Sequence, residues 1–338
     1  MKVLVIGGKG MISRQIVNQL LIANHEVTIF DKDTASTTSR TEVRQISGDK
    51  FRRHEFESSM RKEKFDVVID MLCFNKEDAI SVINAFRDNI EQLIITSSVA
   101  AYNRPTNSMP IREESEELNK QSLWAYGIQK ADVERYLAEV TKNENYPITI
   151  VRPSITYGVG AVNVGVLRQN YGIVDRIRKG KPLVMFGDGK TPWSFTFAPD
   201  LAKGFVSLVG QKKAYGEAFH VSNEDKRVWE DLYLEFGKIL GIEPNIVYIP
   251  SSILYKAAPS LCDHIYFEKC YAGLYDNSKM RTINPGYRAS IALNEGLQML
   301  LEYFERDNPV VEPRKDKLED DLASLYSIWS EKAHNLYV

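Results

Sequence analysis

The chain opens "MKVLVIGGKGMISRQIVNQLLIANHEVTIFDKD", and this block limits its fold more than any other stretch. Lys2 to Ile6 is a short apolar run rich in β-branched residues, the composition of a strand buried on both faces. A glycine cluster follows. The segment "MISRQIVNQLLIAN" then spaces its apolar residues as a helix does, and "HEVTIFD" is a second strand ending in Asp31. Strand, glycine turn, helix and strand within about thirty residues make a βαβ unit with a parallel pair of strands.

The chemistry of that unit lies in its turn. Gly7 and Gly10 stand in a Gly-x-x-Gly-x-x-Ser pattern ending at Ser13, and Met11 and Ile12 open the helix. Glycines let backbone approach a pyrophosphate, which the N–H groups and dipole of a helix N-terminus then hold. Asp31 lies 21 residues past Gly10, near the distance at which a carboxylate meets a dinucleotide ribose. It accepts from a 2′-hydroxyl and repels a 2′-phosphate, so the expected cofactor is NAD ahead of NADP. Lys32, directly after it, weakens that preference.

Alternation continues downstream. "EVRQISGD", "FDVVIDML", "EQLIITSS" and "YPITIVRP" read as further buried strands, with "KEDAISVINAFRD" and the segment around Tyr126 as helices. The expected fold class is α/β, a Rossmann-like doubly wound parallel sheet with a smaller, irregular C-terminal substrate domain. The expected boundaries are 1–160 plus about 192–223 for the NAD-binding domain, and about 161–191 plus 224–305 for the substrate domain. A helical extension, 306–338, begins with the linker-like "RDNPVVEPRKDK".

Composition excludes several classes. A net charge of −2 over 338 residues argues against a nucleic-acid partner or an anionic membrane surface. No run is long enough to span a bilayer. Three cysteines, Cys73, Cys262 and Cys270, and five scattered histidines form no metal-ligand spacing. They suit a reducing, cytoplasmic setting without a metal.

The order of a glycine-rich start, Asp31, "ITSSVAAY", "YGIQK" and "VRPSITYG" resembles the extended short-chain dehydrogenase/reductases of the NAD-dependent epimerase/dehydratase type. The resemblance covers roughly residues 1 to 305. It implies a catalytic set of Tyr126, Lys130 and Ser98. Tyr-x-x-x-Lys spacing alone is common among seventeen tyrosines and recurs at Tyr275 and Lys279, so it is the context that selects Tyr126. Lowering a phenol from its reference pKa near 10 to roughly 7 takes about 4 kcal/mol. An ammonium one helical turn away supplies charge of the right sign. Tyr126 would take the proton of a substrate hydroxyl, Ser98 would hydrogen-bond the same oxygen, and Lys130 would also hold the nicotinamide ribose. The resemblance further places Asp49 at the adenine, Met71 and Leu72 along the cofactor, and Pro153 beside the nicotinamide.

Departures from the family pattern narrow the reaction. Val99 and Ala100 replace the Asp-Glu pair of the 4,6-dehydratases, which argues against that elimination. Ile155 and Trp193 stand where nucleotide-sugar enzymes carry an asparagine and an arginine, and "HIYFEKC" offers only Lys269 for a second phosphate contact. Trp193 is therefore expected to stack on a sugar ring, with Lys269, Arg281 or Arg288 as alternative phosphate ligands. The leading expectation is a sugar or sugar-nucleotide epimerase working by transient oxidation of a ring hydroxyl. A net NAD(P)-dependent dehydrogenase or reductase of a sugar or cyclitol is the alternative. A non-catalytic nucleotide-sensing or RNA-binding protein is the competing class, since "SFTFAPDLAKGF" and "DNSK" resemble chloroplast stem-loop binders. The expected partners are a small carbohydrate-type substrate and a second copy of the chain, docked through the helices near 77–89 and 125–141 by analogy.

Overall fold

The computed structural model describes residues 1–32, 43–160, 164–306, 310–334 and 336. It divides into one unit of residues 1–156, 196–224 and 275–290, and a second of 157–195, 225–274 and 291–338.

The first unit is built on a seven-stranded sheet. Its strands are β1 (Lys2–Ile6), β2 (Glu26–Asp31), β3 (Arg44–Ser47), β4 (Val67–Asp70), β5 (Gln92–Thr96), β6 (Ile148–Pro153) and a last strand, Ala218–Val221. In space that last strand comes first, followed by β6, β5, β4, β1, β2 and β3, and every pairing is parallel. Val3 and Val5 of β1 face one core with Ile16 and Leu20 of helix α1 (Met11–Ile22). Leu4 and Ile6 face the other, with Phe56 of α2 (Arg53–Met60), Val82 of α3 (Lys76–Phe86) and Leu137 of α4 (Ala125–Glu144). Both faces are covered, which is why β1 reads as an unbroken apolar run. β3 departs from the expected buried strand: it is the sheet edge, with Arg44 and Ser47 exposed. The strand order reverses between β1 and β4, and ligands of such sheets gather at the carboxyl ends beside that point.

The second unit pairs Leu183–Phe186 with Ile246–Ile249 in parallel and packs Trp193 and Trp229 with Phe186 and Phe195. Several boundaries differ from expectation: 157–160 and 192–195, Trp193 included, fall in the second unit. Residues 275–290 return to the first unit, where Met280 and Tyr287 join the core over α1. The helix Pro313–His334 belongs to the second unit rather than standing apart. Of the expected linker, 307–309 lie outside the described residues, as do 161–163 of the expected substrate domain. Among the described residues no helix is long and apolar enough to cross a membrane.

Candidate active site

At the carboxyl ends of β1 and β2 the glycine turn opens onto a cavity of about 590 Å³. Gly7 sits at φ +78°, and a Cβ there would stand 2.6 Å from Leu72 Cγ. A Cβ on Gly8 would meet Ile29 Cγ2 at 2.4 Å. Gly10 caps α1 from an extended backbone and supplies no side-chain acceptor, which leaves that cap to a ligand. Gly7, Gly10, Met11, Ile12, Asp31, Met71 and Leu72, expected together, all line this one cavity. Asp31 accepts from Lys9 N at 3.2 Å and Lys32 N at 2.8 Å, so its carboxylate is fixed at the wall. A glycine cradle, a carboxylate and an apolar wall of Ile12, Met71 and Leu72 fit a dinucleotide.

Asp49 is not among the lining residues; it pairs with Lys32 at 3.1 Å and accepts from Phe51 N at 2.9 Å. Its neighbours Gly48, Lys50 and Phe51 line the wall instead. Lys50 was not anticipated. Its ammonium is buried, ion-paired with Asp70 and bonded to Leu72 O at 3.1 Å. An aspartate closing the buried run "VVID" was the available signal, because such a carboxylate demands a cation.

Tyr126 and Lys130 lie one turn apart in the first turns of α4, as expected. Lys130 is buried, and its Nζ donates to Cys73 O at 2.7 Å and Thr96 O at 2.9 Å. Burial pushes its pKa down, against the pull of Cys73 and Asp70. The Tyr126 ring is 38% exposed, its centroid 5.9 Å from the Lys130 ammonium. Cys73 directly follows the lining pair Met71 and Leu72, so the lysine is tied to the turn that walls the cavity. Ser98, half-buried just past β5, accepts from Ala100 N at 3.1 Å and so caps the short turn Val99–Ala101. Pro153 ends β6 in register with Val221, buried. The second Tyr-x-x-x-Lys match separates: Tyr275 precedes the helix Ser278–Ile283, is 1% exposed, and accepts from Arg104 at 2.7 Å.

Behind α4 runs a buried polar chain that sequence reading missed. Ser97 Oγ donates to Glu134 Oε1 at 2.5 Å, and Arg152 clasps the same carboxylate through Nε and Nη2. Arg152 Nη1 donates to Tyr102 Oη at 2.7 Å, and Tyr102 meets His220 Nε2 at 2.6 Å. His220 Nδ1 faces Asp276 O at 3.3 Å, and its backbone N–H donates to Glu113 at 2.7 Å. Because Arg152 can only donate, the tyrosine O–H is left for Nε2, and the network assigns a neutral imidazole protonated at Nδ1. Burial and the nearby guanidinium depress the His220 pKa to about 3. The chain ties β5, α4, β6 and the last strand into one support for the tyrosine–lysine helix.

The expected substrate residues need correction. Trp193 is 0% exposed, with Gly273 packed so close that a Cβ there would stand 2.6 Å from the ring. No indole face is open for a sugar. Lys269 pairs with Glu268 at 2.5 Å and lies over the Trp193 ring at 5.6 Å. Arg281 pairs with Glu224 at 2.7 Å, and Arg288 donates to Pro285 O and Tyr287 O. Each cation expected as a phosphate ligand is engaged by protein oxygens.

Residues 3–222 match the NAD dependent epimerase/dehydratase family. The chain is 26% identical over 251 residues to a 2'-dehydrokanamycin reductase of Streptomyces kanamyceticus, covering 74% of this chain and 70% of that protein. It is also 26% identical over 263 residues to a chloroplast stem-loop binding protein of 41 kDa from Arabidopsis thaliana, covering 73% of this chain and 65% of the other. Its fold is similar to that of UDP-glucuronic acid 4-epimerase from Bacillus cereus, solved in complex with UDP-glucuronic acid and NAD. The TM-score is 0.70 at 20% identity, over 90% of this chain and 99% of that one.

Proposed function

Because the chain belongs to the NAD dependent epimerase/dehydratase family and is an enzyme of that family, we propose that it epimerises a sugar or sugar nucleotide by transient oxidation of a ring hydroxyl. One observation carries the reading. An exposed Tyr126 stands a helical turn before a buried Lys130, whose ammonium is bonded to the residue that follows the cavity wall.

Gly7, Gly10, Met11, Ile12, Asp31, Met71 and Leu72 would hold NAD, which would supply reversible hydride acceptance. The protein's own groups handle the proton. Tyr126 takes it from the hydroxyl as the carbon is oxidised and returns it to the same oxygen on reduction. The Lys130 cation favours the phenolate that forms in between. Ser98 holds the substrate oxygen, and Lys130 holds the nicotinamide ribose. The carboxylate of Asp31 selects NAD over NADP.

A second reading, net reduction of a keto sugar that lacks a nucleotide, is favoured by two findings. The cations expected for a diphosphate are engaged elsewhere, and one relative is a reductase.

One set of assays tests both. Isotope-labelled sugars and nucleotide sugars are incubated with the protein and NAD or NADH. Epimerisation appears as a changed ring configuration with no net change in NADH, and net reduction as stoichiometric NADH loss. Tyr126→Phe lowers turnover about 10²–10⁴-fold with NAD affinity retained, and activity within about threefold of the parent removes the tyrosine from the mechanism. Tyr275→Phe leaves turnover unchanged. By titration NAD binds at least about tenfold tighter than NADP. Equal or tighter NADP binding overturns the role given to Asp31.

A further inference from the structure

The helix Pro313–His334 carries two apolar faces, and its own unit covers one of them. Glu319, Leu322 and Ala323 are buried, and Glu319 accepts from Gln169 at 2.7 Å and Val184 N at 2.8 Å. Asp316 and Asp320 each accept from the buried Arg176 at 2.5 Å. These contacts anchor the first half of the helix.

The second half stands out from them. At 3.6 residues per turn, Asp321, Leu325, Ile328 and Lys332 form one stripe, turned roughly 140° from the docked face. Leu325 is 67% exposed, Ile328 50% and the adjoining Trp329 59%. Exposed apolar residues are ordinary singly; a contiguous stripe of them marks a contact surface.

The spacing of four, three and four residues is that of a coiled-coil seam, and its chemistry is self-complementary. An antiparallel copy centred between Leu325 and Ile328 sets Leu325 against the partner's Ile328. The same register sets Asp321 against the partner's Lys332, and a twofold axis repeats both contacts. Among the described residues of the single chain Asp321 is held by Lys317, 2.7 Å away and one turn back, with both side chains exposed. Pairing adds a second cation. A helix lying on anionic lipid needs an excess of Lys and Arg beside its apolar stripe, and the segment from Asp321 to His334 has Asp321, Glu331 and Lys332 instead.

We infer that residues 321–332 pair antiparallel with the same segment of a second copy of this chain. The contact lies in the second unit, whereas α3 and α4 belong to the first.

Light scattering on the full chain across the micromolar range tests this. Leu325→Glu lowers the mass by a factor of two and weakens self-association at least about tenfold. Circular dichroism of the variant stays that of the parent, because Leu325 is exposed. Asp321→Lys and Lys332→Asp, made singly, set like charges together and weaken association; combined, they restore it. A mass unmoved by Leu325→Glu overturns the inference, and so does a double charge variant no better associated than the singles. A parent chain that stays monomeric throughout also overturns it, including the case where Trp329 fluorescence shifts on anionic vesicles and assigns the stripe to lipid.

Discussion

Two buried lysines hold the turn after β4: Lys50 bonds Leu72 O and Lys130 bonds Cys73 O. Lys130 was readable because the motifs around it, with a tyrosine one helical turn before, resemble a known family. Lys50 was not, because its partner Asp70 lies twenty residues away and only the pairing of β4 with β1 fixes where that aspartate stands. A buried pair adds little net stability, but one partner left alone is costly. Lys50→Met is expected to cost about 3–5 kcal/mol in urea denaturation and to weaken NAD binding through the displaced turn. Adding Asp70→Asn recovers most of the stability, since the amide oxygen still accepts from Leu72 N while the orphan charge is gone. A single-variant loss below about 1 kcal/mol contradicts this account.

At the scale of elements, the β1–α1 turn ranks its own glycines. Gly7→Ala combines a positive φ with a contact of 2.6 Å and is expected to cost about 2–4 kcal/mol. Gly10→Ala has an ordinary φ of −64° and meets Ser13 Oγ at 3.3 Å and Gly7 O at 3.9 Å. Its folding stability should stay within about 1 kcal/mol of the parent, while NAD affinity falls because the methyl enters the cavity. Thermal melts with and without NAD separate the two effects. Equal stability losses in both variants would refute the ranking. The glycine pattern alone does not order them, because Leu72, the obstacle at Gly7, comes from another strand end.

For the molecule as a whole, the buried chain from Ser97 to His220 couples stability to pH. His220 is held neutral, its pKa lowered from 6.5 to about 3, so the unfolded chain binds a proton first as pH falls. The group faces Tyr102, Arg152, Glu113, Asp276 and Lys279. A depressed pKa contributes stability that is present above pH 6.5 and lost progressively down to about pH 3, amounting to about 4–5 kcal/mol. With the pKa at about 3 in the folded chain, about 3 kcal/mol of that is lost between pH 7 and pH 4, and denaturant unfolding at those two values measures it. His220→Gln should be less stable at pH 7 yet lose less between the two, and an unchanged difference would assign the slope to other groups.

What the sequence determined by itself were the features that repeat at short range. The unbroken apolar runs of buried strands, the period of 3.6 in helices, and the glycine turn with Asp31 carry their meaning within a few residues. They sufficed for the α/β class and for the residues that line the cavity; the Tyr126–Lys130 pair was singled out by the resemblance of its surrounding motifs. Tertiary structure alone decided the matters that depend on strands meeting across the sheet. It made β3 an edge, returned 275–290 to the first unit, and joined Glu134 to Arg152 and Tyr102 to His220. It also closed Gly273 over Trp193, taking from that indole the open face its position had suggested. An aromatic side chain looks the same in sequence whether it packs or binds, and only its neighbours in space distinguish the two.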